Sequence, residues 1–494
     1  MARNKGSQEL FDLIHSLTPE EKGYYKKFSK RHIPNGSNYL KLFDAIAAQE
    51  EFEEASLRAR FKNYTVMKVY LKDFITDGLL IYFKNKHPHV NLFSQIQKVH
   101  ILLIKGQHSE AVRVLKKALL HCQKLEVYPI ERYLLRVLSE INHHQLTHPD
   151  AIRDFYTQYK NQLEKNLLFE NDLSGWELRN FEWFAKVRGL DVFDKNKATI
   201  DVSTIQAIPA LSTRSQIKKQ NCLYYLQYLR MDRKQKYEAG KTQLQLSEHF
   251  KTTGDSSFNN IYIQNNYITC CLDLNMFTEA IALSDKMLNS EKQSGFYSHL
   301  AFPKSVLFKL DAYFHTAKFK EGLDLVNAVD KKMYQISTSL GDFSAWKEFS
   351  FFKHTFLFTN QKYRECWIDM QSVNLKSLQK NYVSDYADYS MLALMLQFEM
   401  GNYSTVKNMS SKTSLAFKKM NIEDNTYLSL LSFFKNLKPD TPRSQALKTY
   451  TELTAYYKKS GLSARKCFGL IDYTMWLKAI GEEKYLKDLL PSIV

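Results

Sequence analysis

The sequence predicts an all-α protein, an α-solenoid of stacked helical hairpins that follows an N-terminal helical module. Three observations lead to this prediction. The 494-residue chain contains only 16 glycines and 10 prolines, which is few for a turn-rich β protein. Hydrophobic residues make up 44% of it and aromatic residues 14%, enough to build a large core. A turn followed by a helix also recurs every 40 to 46 residues, as in helical-repeat proteins.

The repeated pattern is visible in "IKGQHSEAV" (104–112) and again in "EMGNYSTV" (399–406). In each, a turn residue is followed five places later by a small or apolar residue, and an amphipathic helix then continues. Clear and weaker copies begin at residues 106, 146, 189, 235, 275, 317, 361, 401, 441 and 481. Such a narrow range of separations indicates a repeat.

Each unit is expected to be one helical hairpin. The turn residue ends the first helix, and an acidic residue early in the second helix suits the positive end of its dipole. The small residue five places after the turn allows close approach to the first helix of the same hairpin. These small residues are Ala111, Ala151, Ala280, Gly322 and Ala446. One hairpin cannot bury both of its apolar faces, so the units are expected to stack.

The spacing of Gly106, Glu110, Ala111, Leu115 and Ala118 resembles the central turn and second helix of the tetratricopeptide repeat. The resemblance covers roughly residues 90 to 494, with a period longer than the 34 residues of that family. It implies an α-solenoid with a concave face that binds a protein or peptide. The opening "MARNKGSQELFDLIHSLTPEEKGYYKKF" also resembles the start of uncharacterised helical proteins from Bacteroidota, which implies no activity.

Residues 1–88 do not follow the period and are predicted to form the N-terminal helical module, with the solenoid over 89–494. Within the module, Thr18 is the predicted N-cap of a helix that begins at Pro19. "NKHPHVN" (85–91) is predicted to be a connector, because Pro88 disfavours helix at His87. An irregular loop is expected at about 193–215, and the C-terminal hairpins follow about residue 440.

The sequence is expected to be cytoplasmic, with no membrane partner. Its first residues contain no apolar run of signal-peptide length, and the longest apolar stretches, such as "GLLIYF" (78–83), are too short to span a bilayer. The six cysteines show no metal-binding or redox spacing and are expected to be buried, reduced thiols.

No enzyme is indicated. The sequence contains no phosphate-binding loop, zinc-protease motif or nucleophile elbow, and no cofactor is expected. The best metal candidate is "HHQLTH" (143–148), but His148 is predicted to lie in a turn, where it need not converge with His144. No metal site is therefore predicted.

The formal net charge of +17 leaves a second function open, binding to RNA or the ribosome through a basic surface. The basic clusters are short, however, and solvated helix faces are the favoured explanation for them. A third class is a regulator whose superhelical pitch responds to a ligand. The leading prediction remains a non-enzymatic scaffold or adaptor that binds a protein or peptide.

The resemblance to tetratricopeptide proteins also implies which residues would line the peptide-binding face. Asn266 and Lys304 stand at two positions of that family's clamp for a C-terminal carboxylate. Tyr225 and Leu229 occupy other clamp positions, where basic or amide residues would be expected. The predicted groove residues are therefore Tyr225, Tyr262, Asn266 and Lys304, with Asn266 and Lys304 on one wall.

Overall fold

The computed structural model describes residues 5–32, 38–50, 52–145, 148–187, 202–252, 258–290, 295–340, 344–373, 378, 382–438 and 440–490. In these residues the protein is all-α, as the sequence predicts, with 24 helices and one pair of two-residue strands. The chain divides into two compact units. Unit 1 comprises residues 1–274 and 290–298, and unit 2 comprises residues 275–289 and 299–494.

The first half of the chain forms helices α1 to α13. Their bounds are α1 Lys5–Ser16, α2 Pro19–His32, α3 Asn38–Ala47, α4 Glu54–Arg60, α5 Tyr64–Phe83, α6 Pro88–Ile104, α7 His108–Leu125, α8 Tyr128–Gln145, α9 Pro149–Val187, α10 Val202–Ala207, α11 Thr213–Leu229, α12 Arg233–Thr252 and α13 Phe258–Asp273. Thr18 caps α2 as predicted: its Oγ1 accepts from Glu21 N at 3.2 Å while Glu21 Oε2 accepts from Thr18 N at 2.8 Å.

The second half continues with α14 to α24 and the strand pair. The bounds are α14 Phe277–Ser290, α15 Gly295–His315, α16 Phe319–Leu340, α17 Ser344–Thr359, α18 Tyr363–Met370, α19 Val383–Glu399, α20 Tyr403–Lys419, α21 Asn425–Lys435, α22 Pro442–Ser460, β1 Lys466–Cys467, β2 Ile471–Asp472, α23 Tyr473–Gly481 and α24 Leu486–Leu489. The strands pair antiparallel, with Cys467 opposite Ile471, and were not predicted.

Within each unit, helices pack mainly against their neighbours in the chain. In unit 1, α6 to α9 pack in succession, and α9 then packs on α11, α11 on α12 and α12 on α13. In unit 2, the same order runs from α16 to α23. Residues 10–75 share a separate apolar core of their own. This succession is what a helical-repeat array requires, whereas the solenoid itself stays a prediction.

The predicted turns are found at five repeat starts. The backbone is left-handed at each, with φ between 56° and 75°, at Gly106, Asn275, Ala317, Gln361 and Gly401. At Gly401 the amide donates to Phe398 O at 2.9 Å, and the next amide, of Asn402, donates to Gln397 O at 2.9 Å. This paired hydrogen bonding terminates a helix, and the next helix begins two residues after the turn residue at all five sites.

Of the other five starts, two were placed wrongly, two lie outside the described residues, and Thr441, with φ −137°, directly precedes α22 instead of standing in a left-handed turn. The left-handed residue is Met231, not Gln235, which lies inside α12; near the C-terminus it is Glu483, not Gly481. Residues 146 and 189 fall outside the described residues. Between them stands a single helix, α9, rather than the two helices that the repeat predicts.

Two predicted irregular segments are also partly helical. The proposed connector at 85–91 contains the start of α6, because proline suits the first position of a helix; only His87, with φ −121° and ψ 119°, is extended. The proposed loop at 193–215 contains α10 and the first turn of α11, and its residues up to 201 lie outside the described residues.

The small residues of the pattern are buried, with one exception. Ala111, Ala280 and Ala446 are fully buried, but Ala151 is exposed near the start of α9. Gly322 on α16 faces Phe356 on α17, the helix that follows it, rather than the first helix of its own hairpin. The position therefore serves packing between successive hairpins as well as within one.

An ion-paired cluster in unit 2 makes stability depend on pH. Lys353 Nζ lies 2.7 Å from Asp369 Oδ1, and the buried His354 donates Nε2 to Asp369 Oδ2 at 2.9 Å. Burial alone would raise the pKa of Asp369, but the hydrogen bonds and charges of His354 and Lys353 outweigh it and lower that pKa to about 2.

The resulting stabilisation is expected to be complete above about pH 4 and to disappear as pH falls through about 2. Because a third of the Asp369 side chain is exposed, we expect on the order of 1–2 kcal/mol. Chemical denaturation at several pH values should show this loss in the parent and not in Asp369→Asn. The exposed Asp324→Asn is the control, and equal acid sensitivity of parent and Asp369→Asn would contradict the assignment.

Candidate functional site

A groove in unit 1 brings together three of the four predicted groove residues. It encloses about 420 Å³ between helices α9, α11, α12 and α13. We call it the α9–α13 groove; its lining residues are Glu177, Asn180, Phe181, Phe184, Ile217, Lys218, Asn221, Tyr225, Gln243, Tyr262, Ile263 and Asn266. α9 packs on α11, and α12 packs on both α11 and α13. All four helices contribute residues to the wall.

The predicted residues differ in how far they reach the solvent. Tyr262 is 40% exposed, and Asn266 is half-buried. Tyr225 is buried, and its ring meets Phe184 edge-on with centroids 6.1 Å apart, so it contributes mainly packing. Lys304 belongs to unit 2, where its exposed Nζ pairs with Glu348 Oε2 at 3.5 Å. That Asn266 and Lys304 share one wall stays a prediction.

Three asparagines form a hydrogen-bonded row along the groove, which we call the asparagine ladder: Asn180, Asn221 and Asn266. Asn180 Nδ2 donates to Lys218 O at 2.5 Å, which leaves Asn180 Oδ1 to accept from Asn221 Nδ2. Asn266 Nδ2 donates in turn to Asn221 Oδ1 at 3.2 Å. The carbonyl at one end therefore fixes the orientation of all three amides.

The end of the ladder keeps unused hydrogen-bonding groups. Asn266 makes no other hydrogen bond within the described residues, so its Oδ1 and one N–H are available. Gln243 is fully buried; its Nε2 donates to Ile217 O at 3.3 Å, and its Oε1 is buried with no partner in the described structure. A buried acceptor without a donor is costly, so a ligand N–H at this point would be favoured.

The groove also offers aromatic surface and little net charge. Phe181 is 59% exposed and Tyr262 40%, so part of each aromatic side chain is accessible at the groove. Its two charged side chains, Glu177 and Lys218, are of opposite sign. The arrangement suits a neutral, extended chain with alternating N–H and C=O groups and apolar side chains.

The sequence analysis missed Asn180, Asn221 and Gln243. A signal for the ladder was present, because its members are separated by 41 and 45 residues, which lies within the repeat period. Equivalent positions of successive repeats project from neighbouring helices, so a polar residue that recurs at the period marks a continuous row.

The cysteines and histidines add no reactive centre to this site. All six cysteines are buried, as predicted, and none forms a disulfide; burial raises the pKa of Cys222 and of Cys270 to about 12. His148 is exposed in the turn before α9, while the side chains of His143 and His144 lie outside the described residues. In the part that the structure describes, no group of three or more His, Cys, Asp or Glu side chains could hold a metal ion.

Comparison with models of protein families gave no match, and comparison with curated proteins gave no significant match. Among the described helices, none is both long and apolar enough to cross a membrane. The resemblance to tetratricopeptide proteins therefore stays an expectation from the sequence, and the assignment of function rests on the groove.

Proposed function

We propose that this protein is a non-enzymatic scaffold or adaptor that binds an extended peptide segment of another protein in the α9–α13 groove. The observation that carries the proposal is the asparagine ladder beside the orphan acceptor of Gln243. An extended peptide exposes one N–H and one C=O per residue, and the amide of Asn266 offers the complementary acceptor and donor. Phe181 and Tyr262 would pack on its apolar side chains.

The charge of the groove favours a peptide over the RNA or ribosome alternative. A nucleic acid needs several cationic contacts to its phosphates, whereas the groove is lined by only one lysine and one glutamate. The +17 net charge leaves a basic surface elsewhere as the competing proposal. A cytoplasmic location belongs to the same proposal and agrees with six cysteines that form no disulfide, since disulfides are rare in a reducing compartment.

The proposal is tested by selecting peptides from a random display library on the immobilised full-length chain. Selected peptides should bind the parent and lose at least tenfold in affinity against Phe181→Ala combined with Asn266→Ala. The melting temperature should change little, because Phe181 is largely exposed and Asn266 stands at the open end of the ladder. Leu415→Ala, at a side chain 64% exposed in unit 2, is the matched control.

Two outcomes would reject the proposal. One is a selected peptide that binds the double variant as tightly as the parent. The other is no peptide at all together with single-stranded RNA binding that weakens steeply with salt, which would favour the RNA alternative. Lys304→Ala, measured separately, tests whether the predicted lysine takes part, and unchanged affinity would remove it from the site.

A further inference from the structure

A second pocket in unit 1 lies apart from the residues of the α9–α13 groove. It encloses about 340 Å³ where α8 and the middle of α9 meet the end of α7. The residues that define its chemistry are Glu126, Tyr128, Glu131, Lys165, Asn166 and Phe169. Two of these polar side chains, Glu131 and Asn166, are almost completely buried.

Glu131 is a buried carboxylate without a cationic partner. It is 6% exposed, and Gln123 Nε2 donates to its Oε1 at 2.9 Å while Asn166 Nδ2 donates to its Oε2 at 2.8 Å. Within the described residues no lysine, arginine or histidine forms an ion pair with it. Neutral amide donors solvate the charge but do not cancel it, so a cation at this point would be strongly favoured.

Asn166 supplies a second acceptor that has no donor. It is 3% exposed, and its Nδ2 donates both to Tyr128 O at 3.0 Å and to Glu131 Oε2. Both of these atoms are acceptors, so the orientation of the amide is fixed and its Oδ1 is left over. That Oδ1 is buried with no hydrogen-bond partner in the described structure.

The remaining walls are aromatic and acidic. The rings of Tyr128 and Phe169 lie 5.7 Å apart at 39°. Burial raises the pKa of Tyr128 to about 12, and the negative charges of Glu126 and Glu131 add to the effect, so the phenol stays protonated. The Glu126 carboxylate accepts from the backbone amides of Thr213 and Arg214 at the start of α11, where the positive end of the helix dipole partly balances its charge. Glu131 has only two neutral side-chain amides as donors.

We propose that this pocket binds an organic cation, an ammonium or guanidinium group carried on an aliphatic chain. Its N–H groups would donate to Glu131 and to Asn166 Oδ1, and its charge would lie against the faces of Phe169 and Tyr128. A free polyamine and a lysine or arginine side chain both present this chemistry. Aromatic faces next to a single free carboxylate suit such a cation better than a metal ion, which prefers several oxygen ligands.

Lys165 provides an internal check on this assignment. It is exposed at the pocket, where its Nζ lies 5.8 Å from the centroid of the Phe169 ring. A positive charge there repels a cationic ligand and competes for the same aromatic face. Removing that charge should therefore strengthen binding, which no purely structural role of the pocket would produce.

The test is calorimetric titration of the full-length chain with putrescine and with butylguanidinium, and with 1,4-butanediol as the neutral analogue. Saturable binding of at least one cation and none of the diol is expected. Glu131→Gln, which keeps an amide acceptor, should weaken that binding at least tenfold, and Lys165→Met should tighten it several-fold at low salt. Circular dichroism and melting curves establish that the variants are folded.

The sources of the cation are separated with two short blocked peptides that differ only in lysine against norleucine. Binding of the lysine peptide more tightly than putrescine assigns the pocket to a basic side chain, and the reverse assigns it to a free polyamine. Absence of binding by every cation, or unchanged affinity in Lys165→Met and in a folded Glu131→Gln, overturns the proposal. The Asn266→Ala variant should bind the cation normally, so this result does not depend on the groove.

Discussion

Replacing Gly322 with alanine is expected to destabilise unit 2 by about 1–3 kcal/mol. A Cβ atom at this position would overlap the ring of Phe356, which is fully buried, so the ring or the helix would have to shift. Glycine inside a helix normally costs roughly 0.5–1 kcal/mol relative to alanine, so without the overlap the same change would stabilise. The sign of the change in unfolding free energy therefore decides whether Gly322 and Phe356 are in close contact.

Chemical denaturation of the variant should show this loss. Gly23→Ala is the matched control, because Gly23 lies exposed in α2 and a Cβ there meets nothing within 4 Å; it should be neutral or stabilising. When Phe356 is replaced by the smaller leucine, Gly322→Ala should destabilise unit 2 less than it does in the parent. Stabilisation by Gly322→Ala alone would show that the two helices do not approach as described.

Replacing Asp388 with alanine is expected to destabilise unit 2 by about 3–5 kcal/mol. Asp388 is 7% exposed, and its carboxylate accepts from Tyr427 Oη at 2.7 Å, from Tyr473 Oη at 3.0 Å and from Phe468 N at 3.1 Å. Alanine would remove the acceptor of two buried tyrosine hydroxyls and of the partly buried Phe468 amide. The cluster joins α19 to α21, α23 and the strand pair, so its loss affects the whole end of the chain.

A graded series separates the carboxylate from its partners. Tyr473→Phe removes one donor and leaves two, so it should cost only about 1 kcal/mol. Ser384→Ala, at an exposed position of α19, should be close to neutral. If Asp388→Ala melted like Ser384→Ala, the network would not contribute to stability and the buried hydrogen bonds would have to be reassigned.

The turns were predictable where a local signal determines them. Gly106 and Gly401 tolerate a left-handed backbone at no steric cost, and the spacing identified Asn275, Ala317 and Gln361 in the same role. Met231 was missed because its side chain gives no sign of positive φ, and a neighbouring "QKYEAG" matched the pattern instead. The chain is held there by the same paired hydrogen bonds as at Gly401, because the Met231 amide donates to Tyr228 O at 3.2 Å and the Asp232 amide donates to Gln227 O at 3.0 Å.

The long helix α9 shows where periodicity misleads. The repeat requires two helices between residues 146 and 189, yet Pro149–Val187 contains no proline after its first residue and only Gly175 as a weak point. Local propensity therefore continues the helix through the place where a turn was expected. The strand pair was missed because each strand has only two residues, too few to show an alternation of polar and apolar side chains.

The candidate groove was only partly predictable. Tyr225 and Asn266 were found from their spacing to the predicted turns, and Tyr262 lies one helical turn before Asn266 on the same helix. Which of them reaches the solvent depends on helix rotation, which the spacing does not determine; Tyr225 is buried, the commoner role of such an aromatic residue. Gln243 Oε1 is left without a partner because the Nε2 of the same amide donates to Ile217 O. The orientation of a side-chain amide cannot be predicted from the sequence.

The length of α9 has a mechanical consequence for unit 1. Its 39 residues form a rod about 58 Å long, and one such rod supplies a wall to both pockets. Asn166 of the cation pocket and Asn180 of the asparagine ladder are about 21 Å apart along its axis. If a ligand at one pocket tilts or rotates α9 and thereby changes affinity at the other, that change must be mutual between the two ligands.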